Sequence, residues 1–390
     1  MDTARNLGAK LVVATFAITT SLGGGTTALA QEVDAAQTAT STDTKPSEGD
    51  VTQLEGLTVL GSRRYDRSSD ADTAVPVDVL PMAKAAEQGP SFDLAQTLQY
   101  TAPSFTSGRQ TGADNADSVD SAALRGLGSD QTLVLVNGKR LHSTALVNLF
   151  GARNRGNTGT DLNTIPMLAI DQVEILRDGA AAQYGSDAIA GVMNISLKRR
   201  KGCEAVAGFG QYSRGDGENY LASGYCGFAV GNDGVIAWTG EYLDRGRSNR
   251  AATGDPRTIG DTAVTNGTVY INGDIPFGDG AHFYFDGGIQ NRDASSAAFA
   301  RGGIGSDDIP SRNSEAMYPN GFVPYIDPYI QDRHLSTGVW WMWNDWRVDA
   351  SQTFGYNKLT DTIRNTLNAS IANLDLENGG AGISPGQFNA

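Results

Sequence analysis

The sequence is short of several residue types, and each shortage argues against a class of protein. It has only three histidines and two cysteines in 390 residues, which leaves few ligands for a metal cluster. No stretch approaches the roughly 18 consecutive apolar residues of a membrane-spanning helix. Basic residues are the minority, with 30 Lys and Arg against 44 Asp and Glu and a net charge of −14. A nucleic-acid partner is therefore not expected, because phosphate binding needs a basic patch.

No catalytic set emerges either. His142, His282 and His334 lie in unrelated parts of the sequence, so no metal site is predicted. Residues 382–386 carry the letters of a nucleophile elbow, but Pro385 follows the serine and has no N–H for an oxyanion hole. Residues 302–305 are Gly-rich but follow no convincing strand, so nucleotide binding is unsupported. The sequence therefore predicts neither an enzyme nor a bound cofactor.

The N-terminal region is typical of an exported protein. Arg5 and Lys10 precede an apolar stretch at residues 11–18 and small residues at 28–30, which is the order of a secretory signal peptide. Residues 31–53 are polar with almost no large apolar side chain. Such a segment cannot offset its chain entropy by burial, so it is predicted to be a disordered linker.

Residues 170–198 form a small Ala- and Gly-lined unit around which the next domain is organised. Residues 173–176 read as a short buried strand, and the Asp178-Gly179 pair turns the chain. A helical turn over residues 180–184 and a second strand over residues 192–198 follow. Upstream, the patterns predict strands at residues 75–80, 121–124 and 132–136, a helix at 92–100 capped by Ser91, and a hairpin at Asn137-Gly138. Together they indicate one mixed α+β domain over residues 60–200.

Alternating polarity dominates after residue 201. A two-residue turn at Asn344-Asp345 would place Trp343 opposite Trp346 and Trp341 opposite Val348. Two further hairpins would place Val269, Ile271 and Ile275 against Phe283, Phe285 and Ile289 across residues 278–280, and Phe228 and Val230 against Trp238 and Ile236 across residues 232–234. Long polar connections at residues 245–267 and 292–333 lie on the other side. A soluble β-sandwich also alternates, but one-sided long loops favour a membrane barrel.

The two cysteines flank a hairpin whose turn is predicted at residues 213–216. That register brings Cys203 directly opposite Cys226. A cross-strand disulfide is permitted in an exported protein if the geometry fits. Two unpaired buried thiols are the alternative.

Three ordered motifs resemble one family. Residues 170–198 resemble the signature near the end of the plug domain in TonB-dependent outer-membrane receptors. Leu124-Arg125-Gly126-Leu127-Gly128 and Leu135-Val136-Asn137-Gly138-Lys139-Arg140 match earlier motifs of the same domain. The resemblance implies a mixed α+β plug domain followed by an antiparallel transmembrane β-barrel.

The resemblance also implies roles for particular residues. The β-prone hexamer Leu54, Glu55, Gly56, Leu57, Thr58 and Val59 resembles the TonB box, which the TonB protein captures by adding a strand; an ordinary first strand is the alternative. Arg125, Glu174 and Arg177 resemble plug charges that form a latch with the barrel wall, although they could instead pair within the plug. Arg153, Asn154 and Arg155 are candidates for the ligand surface.

The function implied is active uptake across the bacterial outer membrane, with the plug facing the periplasm. The implied partners are TonB with ExbB and ExbD, outer-membrane lipid and a scarce ligand. A ferric siderophore is the default ligand, and cobalamin, haem, other metals and saccharides are rivals. About seven barrel strands are counted, whereas plugged transporters close at about 22. We therefore expect an N-terminal fragment or a truncated product. An exported binding or adhesion protein with a soluble β domain is the alternative.

Overall fold

The computed structural model describes the backbone of residues 12–18 and the residues 77–83, 93–113, 115–149, 151–177, 183–255, 258–306 and 313–381. The predicted linker and the hexamer Leu54–Val59 lie outside these ranges, as do residues 382–386 and most of the predicted helical turn at 180–184. Strand β1 (Val12–Ile18) falls within the predicted signal peptide.

The predicted plug is built on a five-stranded sheet. Its strands are β2 (Val77–Pro81), β3 (Thr132–Val136), β4 (Lys139–Arg140), β5 (Ile170–Leu176) and β6 (Gly191–Leu197), in the spatial order β2-β5-β6-β3-β4. Strands β3 and β6 run parallel, and the other neighbours run antiparallel. Both faces of β6 are covered, which leaves Val192, Met193 and Ile195 fully buried. The plug therefore has a core of its own.

Helix α1 (Leu94–Thr101) packs Leu94 and Leu98 into that core. The predicted N-cap at Ser91 is wrong, because the side chain of Asp93 caps the helix and accepts a hydrogen bond of 2.9 Å from the Gln96 N–H. An aspartate suits this position because it satisfies an amide that has no partner inside the helix. The helix ends before Pro103, as predicted.

The predicted strand at residues 121–124 is also wrong. Ser121 and Leu124 each form a single bridge, to Asp161 and Phe105, rather than a ladder. Arg125 and Gly126, which follow directly, both adopt positive φ, at 56° and 74°. The chain therefore turns away before a strand can extend.

Seven antiparallel strands, called the wall sheet, follow the plug in sequence order. They are β7 (Gly202–Gln211), β8 (Asn219–Val230), β9 (Gly234–Arg245), β10 (Ala263–Phe277), β11 (Ala281–Ala297), β12 (Tyr325–Trp343) and β13 (Trp346–Arg364). A short helix α2 (Ala369–Glu377) comes after β13. A mixed α+β domain followed by an antiparallel sheet confirms the predicted fold class.

The predicted hairpin registers are largely confirmed. Trp343 pairs with Trp346 and Trp341 with Val348, as the two-residue turn requires. In the hairpin of β10 and β11 Val269 pairs with Ile289 and Ile275 with Phe283, while glycines lie opposite the other two residues, Gly287 opposite Ile271 and Gly273 opposite Phe285. The predicted register of β8 and β9 is wrong by two residues, because the turn is tighter: Phe228 pairs with Ile236 rather than Trp238, and Val230 pairs with Gly234.

The long connections are shorter than predicted, since they span residues 246–262 and 298–324. The strands extend into stretches that were predicted to be loops because their side chains are polar. Alternate residues in these stretches face the plug rather than solvent. Asn266 and Arg292 are examples, at 3% exposure each.

The two faces of the wall sheet reverse the pattern of a soluble protein. The face that covers the plug buries polar side chains, among them Asn272, Asp286, Gln290, Arg292, Asp332, His334 and Ser336. The opposite face exposes large apolar ones, among them Val269, Phe283, Ile289, Leu335, Trp343, Trp346 and Phe354. An apolar outer band around a polar interior is what a lipid-facing sheet needs. Within the described residues, no helix has the length and apolarity to cross a bilayer.

Strand β1 pairs antiparallel with β7 at the edge of the wall sheet, from Val12 opposite Gln211 to Ile18 opposite Ala205. An unpaired edge attracts any β-prone apolar segment, and Val12–Ile18 is one. The assignment of these residues to a signal peptide stays a prediction.

Candidate functional site: the contact between plug and wall sheet

The centre of the contact is a buried ion pair. Nη1 of Arg292, on β11, lies 2.6 Å from Oδ2 of Asp161 in the plug, and both side chains are at most 3% exposed. Asp161 begins the turn Leu162–Thr164 and accepts the Asn163 N–H on its other oxygen at 3.0 Å. Arg292 also donates to the carbonyls of Ser118 and Asn163, at 2.9 and 3.1 Å. Burial raises the pKa of Asp161, and the Arg292 guanidinium opposes that rise without cancelling it.

Two of the three histidines meet at the same interface. His142, in the plug, lies 2.9 Å from Asp332 on β12, and His334 lies 3.2 Å from Asp286 on β11. The two rings stack with centroids 6.2 Å apart. The sequence interpretation that these histidines lie in unrelated contexts is therefore wrong. Among the described residues, however, no group of three His, Cys, Asp or Glu side chains could hold a metal ion.

A second charged cluster lies towards the long connections. Arg109, in the plug, pairs with Asp93 and lies 3.4 Å from Asp261 in loop 246–262. Arg245, at the end of β9, lies 3.6 Å from Asp93. Burial alone would raise the pKa of Asp93, but the two guanidinium groups hold it below its ordinary value. Two arginines thus stabilise a carboxylate between plug and wall.

The contact is also polar at the end with the short turns. Nζ of Lys139 lies 3.0 Å from Asp349 on β13, and Arg199, where plug meets wall, lies 2.9 Å from Asp274 on β10. Asn137, in the turn between β3 and β4, donates to the side chains of Asn272 and Asp286 at 3.3 and 3.4 Å. The contact thus carries polar pairs along its length.

The predicted latch residues contact other parts of the plug. Arg177 pairs with Asp78 on β2 at 2.7 Å, with both side chains about a third exposed. Glu174 is buried and accepts hydrogen bonds from Gln172 and Asn194, at 2.9 and 3.3 Å. Arg125 is exposed, in a turn with positive φ. Their role as a latch to the wall stays a prediction; the pairs described above do join plug to wall.

The predicted ligand residues lie together at the end of the plug that faces the long connections. Arg153 and Arg155 are exposed, and Asn154 between them has a φ of 55°. The Arg153 N–H donates to the Gln110 side chain at 2.5 Å, and its guanidinium donates to the Gly108 carbonyl. Arg153 and Asn154 also line a small polar cavity beside Thr106, Ser107 and Asp120. The structure brings these residues to one surface, and ligand binding there stays a prediction.

Cys203 and Cys226 face each other across β7 and β8 in the predicted register, with Cα atoms 4.1 Å apart and their sulfurs joined as a disulfide. Both cysteines lie in the wall sheet. That the pair is oxidised in the cell stays a prediction.

Sequence reasoning missed the residues that join plug to wall. Asp161 and Arg292 are separated by 131 positions. Asp161 lies in a turn, and the strand of Arg292, β11, pairs with β10 and β12 rather than with the plug. One signal was present in the sequence: Asn272 and Gln290 alternate with apolar residues inside predicted strands, whereas Arg292 and Asp332 have polar neighbours on both sides. That alternation shows which face is polar, but not which plug residue will meet it.

The family comparison matches residues 69–192 to the TonB-dependent receptor plug domain. The ferric enterobactin receptor of Pseudomonas aeruginosa is 28% identical over 166 residues, which are 43% of this chain and 21% of that protein. The vitamin B12 transporter BtuB of Vibrio cholerae is 34% identical over 171 residues, 42% of this chain and 25% of that protein.

Solved structures give a weaker likeness. A crystal structure of the ferric enterobactin receptor PfeA in complex with BCV-L6 has a TM-score of 0.47 at 17% identity, covering 74% of this chain and 45% of that one. The copper transporter OprC has a TM-score of 0.42 at 12% identity, covering 74% and 46%. The match to the two curated relatives spans a quarter of their length or less.

Proposed function

We propose that this chain, which belongs to the TonB-dependent receptors by its plug domain, takes part in energy-dependent uptake of a scarce ligand across the bacterial outer membrane. The observation that carries the proposal is the contrast between the plug's apolar core and its polar contact with the wall sheet. A plug that is to move must keep its own fold while its contact with the wall opens.

Polar contacts meet that requirement. A hydrogen bond between protein groups is worth only about 0.5–1.5 kcal/mol net, because water replaces the lost partner when the contact opens. Opening an apolar core instead exposes surface at about 25 cal/mol per Å². The wall contacts of Lys139, Arg199 and His142 can therefore exchange for water while the core around Leu98 and Ile195 stays closed.

The proposed steps follow the family. A ligand binds on the side of the long connections, where Arg153, Asn154 and Arg155 lie. TonB, driven through ExbB and ExbD, captures Leu54–Val59 by strand addition and pulls on the plug. The apolar outer face of the wall sheet lies in outer-membrane lipid, with the plug on the periplasmic side.

A ferric siderophore is the proposed ligand. The names of the relatives support it in part, since one is a ferric enterobactin receptor and another a vitamin B12 transporter. Arginines at the outward end of the plug suit an anionic ligand. Cobalamin, haem, other metals and saccharides remain the rivals that an uptake assay must include.

Uptake of radiolabelled iron from a siderophore panel tests the function. Cells carrying the gene, grown under iron limitation, are expected to take up at least one complex when TonB is present and to lose that uptake when TonB is deleted. Replacing Thr58 with proline is the matched variant, because proline removes a backbone donor from the captured strand. Equal uptake with and without TonB would refute the proposal.

A further inference from the structure

Loop 246–262 of the wall is tied to the plug at two neighbouring points. The Gly260 N–H donates to the Thr111 hydroxyl at 3.0 Å, and Oδ2 of Asp261 lies 3.4 Å from Nη1 of Arg109. The loop is ordered there, because Asp261 and Ser248 exchange hydrogen bonds of 2.8 and 3.2 Å. A displacement of this part of the loop therefore changes the contact between Asp261 and Arg109.

The opposite side of Arg109 contacts the start of helix α1. Its Nη2 pairs with Oδ2 of Asp93, while Oδ1 of the same carboxylate caps the helix at the Gln96 N–H. One carboxylate thus binds the arginine with one oxygen and the first turn of the helix with the other. Because α1 buries Leu94 and Leu98 in the plug core, its first turn links this cluster to the core.

A third contact holds Asp261. The Tyr212 hydroxyl, from the connection between β7 and β8, donates to its Oδ2 at 2.6 Å. Asp261 therefore lies in one wall connection and is bonded to a residue of another. Arg109 is the plug residue that lies beside its carboxylate. Both carboxylates and the guanidinium are at most 16% exposed, so their interaction is screened less than a surface pair.

We propose that Arg109 is a positioning residue that couples the position of loop 246–262 to the stability of the first turn of helix α1. If the loop moves away, Arg109 loses the Asp261 carboxylate and shifts towards Asp93. The Asp93 carboxylate then interacts more with the arginine and less with the Gln96 N–H that it caps. The coupling would let a ligand bound at the long connections act on α1 by moving the loop, and this consequence alone rests on the proposed function.

Hydrogen exchange in the full chain, in outer-membrane vesicles, tests the coupling. Asp261 bonds to Arg109, Tyr212 and Ser248, which all lie outside α1. Asp261→Asn is nevertheless expected to speed exchange in the peptide covering residues 94–101 by roughly two- to fivefold, as for partial loss of a helix cap. The same substitution in an Arg109→Gln background is expected to add nothing further.

Asp216→Asn is the matched control. Asp216 binds Arg250, in the first part of the same loop, with both oxygens, at 2.6 and 3.0 Å, so its loss removes a contact of the loop but leaves the contacts of Gly260 and Asp261 with the plug in place. It is expected to leave α1 exchange unchanged. If Arg109→Gln does not fold, Arg109→Lys takes its place, since it keeps the charge but loses the planar fork.

Two results would overturn the coupling: no effect of Asp261→Asn on α1, or an equal effect with and without Arg109. Neither measurement involves uptake. A failed uptake assay with intact coupling would therefore count against the proposed function alone, and failed coupling with TonB-dependent uptake against Arg109 alone.

Discussion

The interior of the plug and its contact with the wall sheet are built from different side chains. The interior packs apolar groups such as Leu98, Met193 and Ile195, all fully buried. The contact buries Asp161, Arg292 and other polar groups instead. Tyr270, on β10, is a wall residue that joins the apolar cluster of the plug. Apolar packing therefore stabilises the fold of the plug, while polar pairs hold the plug against the wall sheet.

The largest effect is expected from breaking the central ion pair. Asp161→Asn leaves Arg292 buried without its counter-ion, which costs about 3–5 kcal/mol. Protease cleavage of the plug in vesicles is expected to rise steeply. The double variant Asp161→Leu with Arg292→Met is expected to recover most of the loss, because both charges are gone. Asp187→Asn, in the exposed pair with Arg140, is the control and should change stability by about 1 kcal/mol or less.

A cavity in the apolar interior should weaken the fold of the plug itself rather than its contact with the wall sheet. Leu98→Ala is expected to destabilise the fold of the plug by about 2–5 kcal/mol, because the methyl groups it removes are fully buried. Urea unfolding followed by hydrogen exchange in β5 and β6 measures it. Ile189→Ala, at a position 55% exposed, should stay within about 0.5 kcal/mol. Equal losses in the two variants would contradict the assigned core.

Acidity should distinguish the groups at the end of the plug that faces the long connections. Burial, reinforced by the Asp93 carboxylate, raises the pKa of Asp120 from 3.8 to about 6. The folded protein then holds this proton more tightly than the unfolded chain, so the contribution of Asp120 to stability falls as the pH rises between about 4 and 6. The full shift corresponds to about 3 kcal/mol at most.

Asp120→Asn should remove that pH dependence, because an amide does not titrate. The difference in urea midpoint between the variant and the unmodified chain should grow from pH 4 to pH 6, in favour of the variant, and then level off. A difference that stays constant across this range would show that Asp120 titrates normally. The surface variant Asp130→Asn is the comparison.

The smallest effect on the plug is expected from the disulfide, which lies wholly within the wall sheet. Replacing both Cys203 and Cys226 with alanine should leave protease cleavage of the plug unchanged. Thiol titration of the denatured chain should find no free thiol before reduction and two afterwards. Two free thiols in the purified protein before reduction would contradict the disulfide.

Whether a feature of the fold can be predicted from the sequence depends on how far apart its interacting residues lie along the chain. The hairpin of Trp343 and Trp346 was predictable because a two-residue turn determines which residues lie opposite. The cap at Asp93 was missed because Ser91 is an equally favoured N-cap residue. In the fold, Asp93 caps the helix and also contacts Arg109 and Arg245, which are distant in the sequence.

The site was less predictable than the fold. Arg125 and Arg177 were chosen as latch residues by motif, yet Arg177 pairs with Asp78 inside the plug. The pair of Asp161 and Arg292 depends on how two domains are placed against each other. Hydrophobic period and turn chemistry describe neighbours along the chain, so they contain no information about that placement.

The most direct test of the account is a reversible cross-link between plug and wall. Ser296, on β11, donates to the Asp117 carboxylate in the plug, so cysteines at both positions, with Cys203 and Cys226 replaced by alanine, should form a disulfide. We predict that oxidation stops TonB-dependent uptake, that reduction restores it, and that neither single cysteine has this effect. Uptake that continues unchanged through the cross-linked plug would contradict the claim that the plug moves against a polar contact.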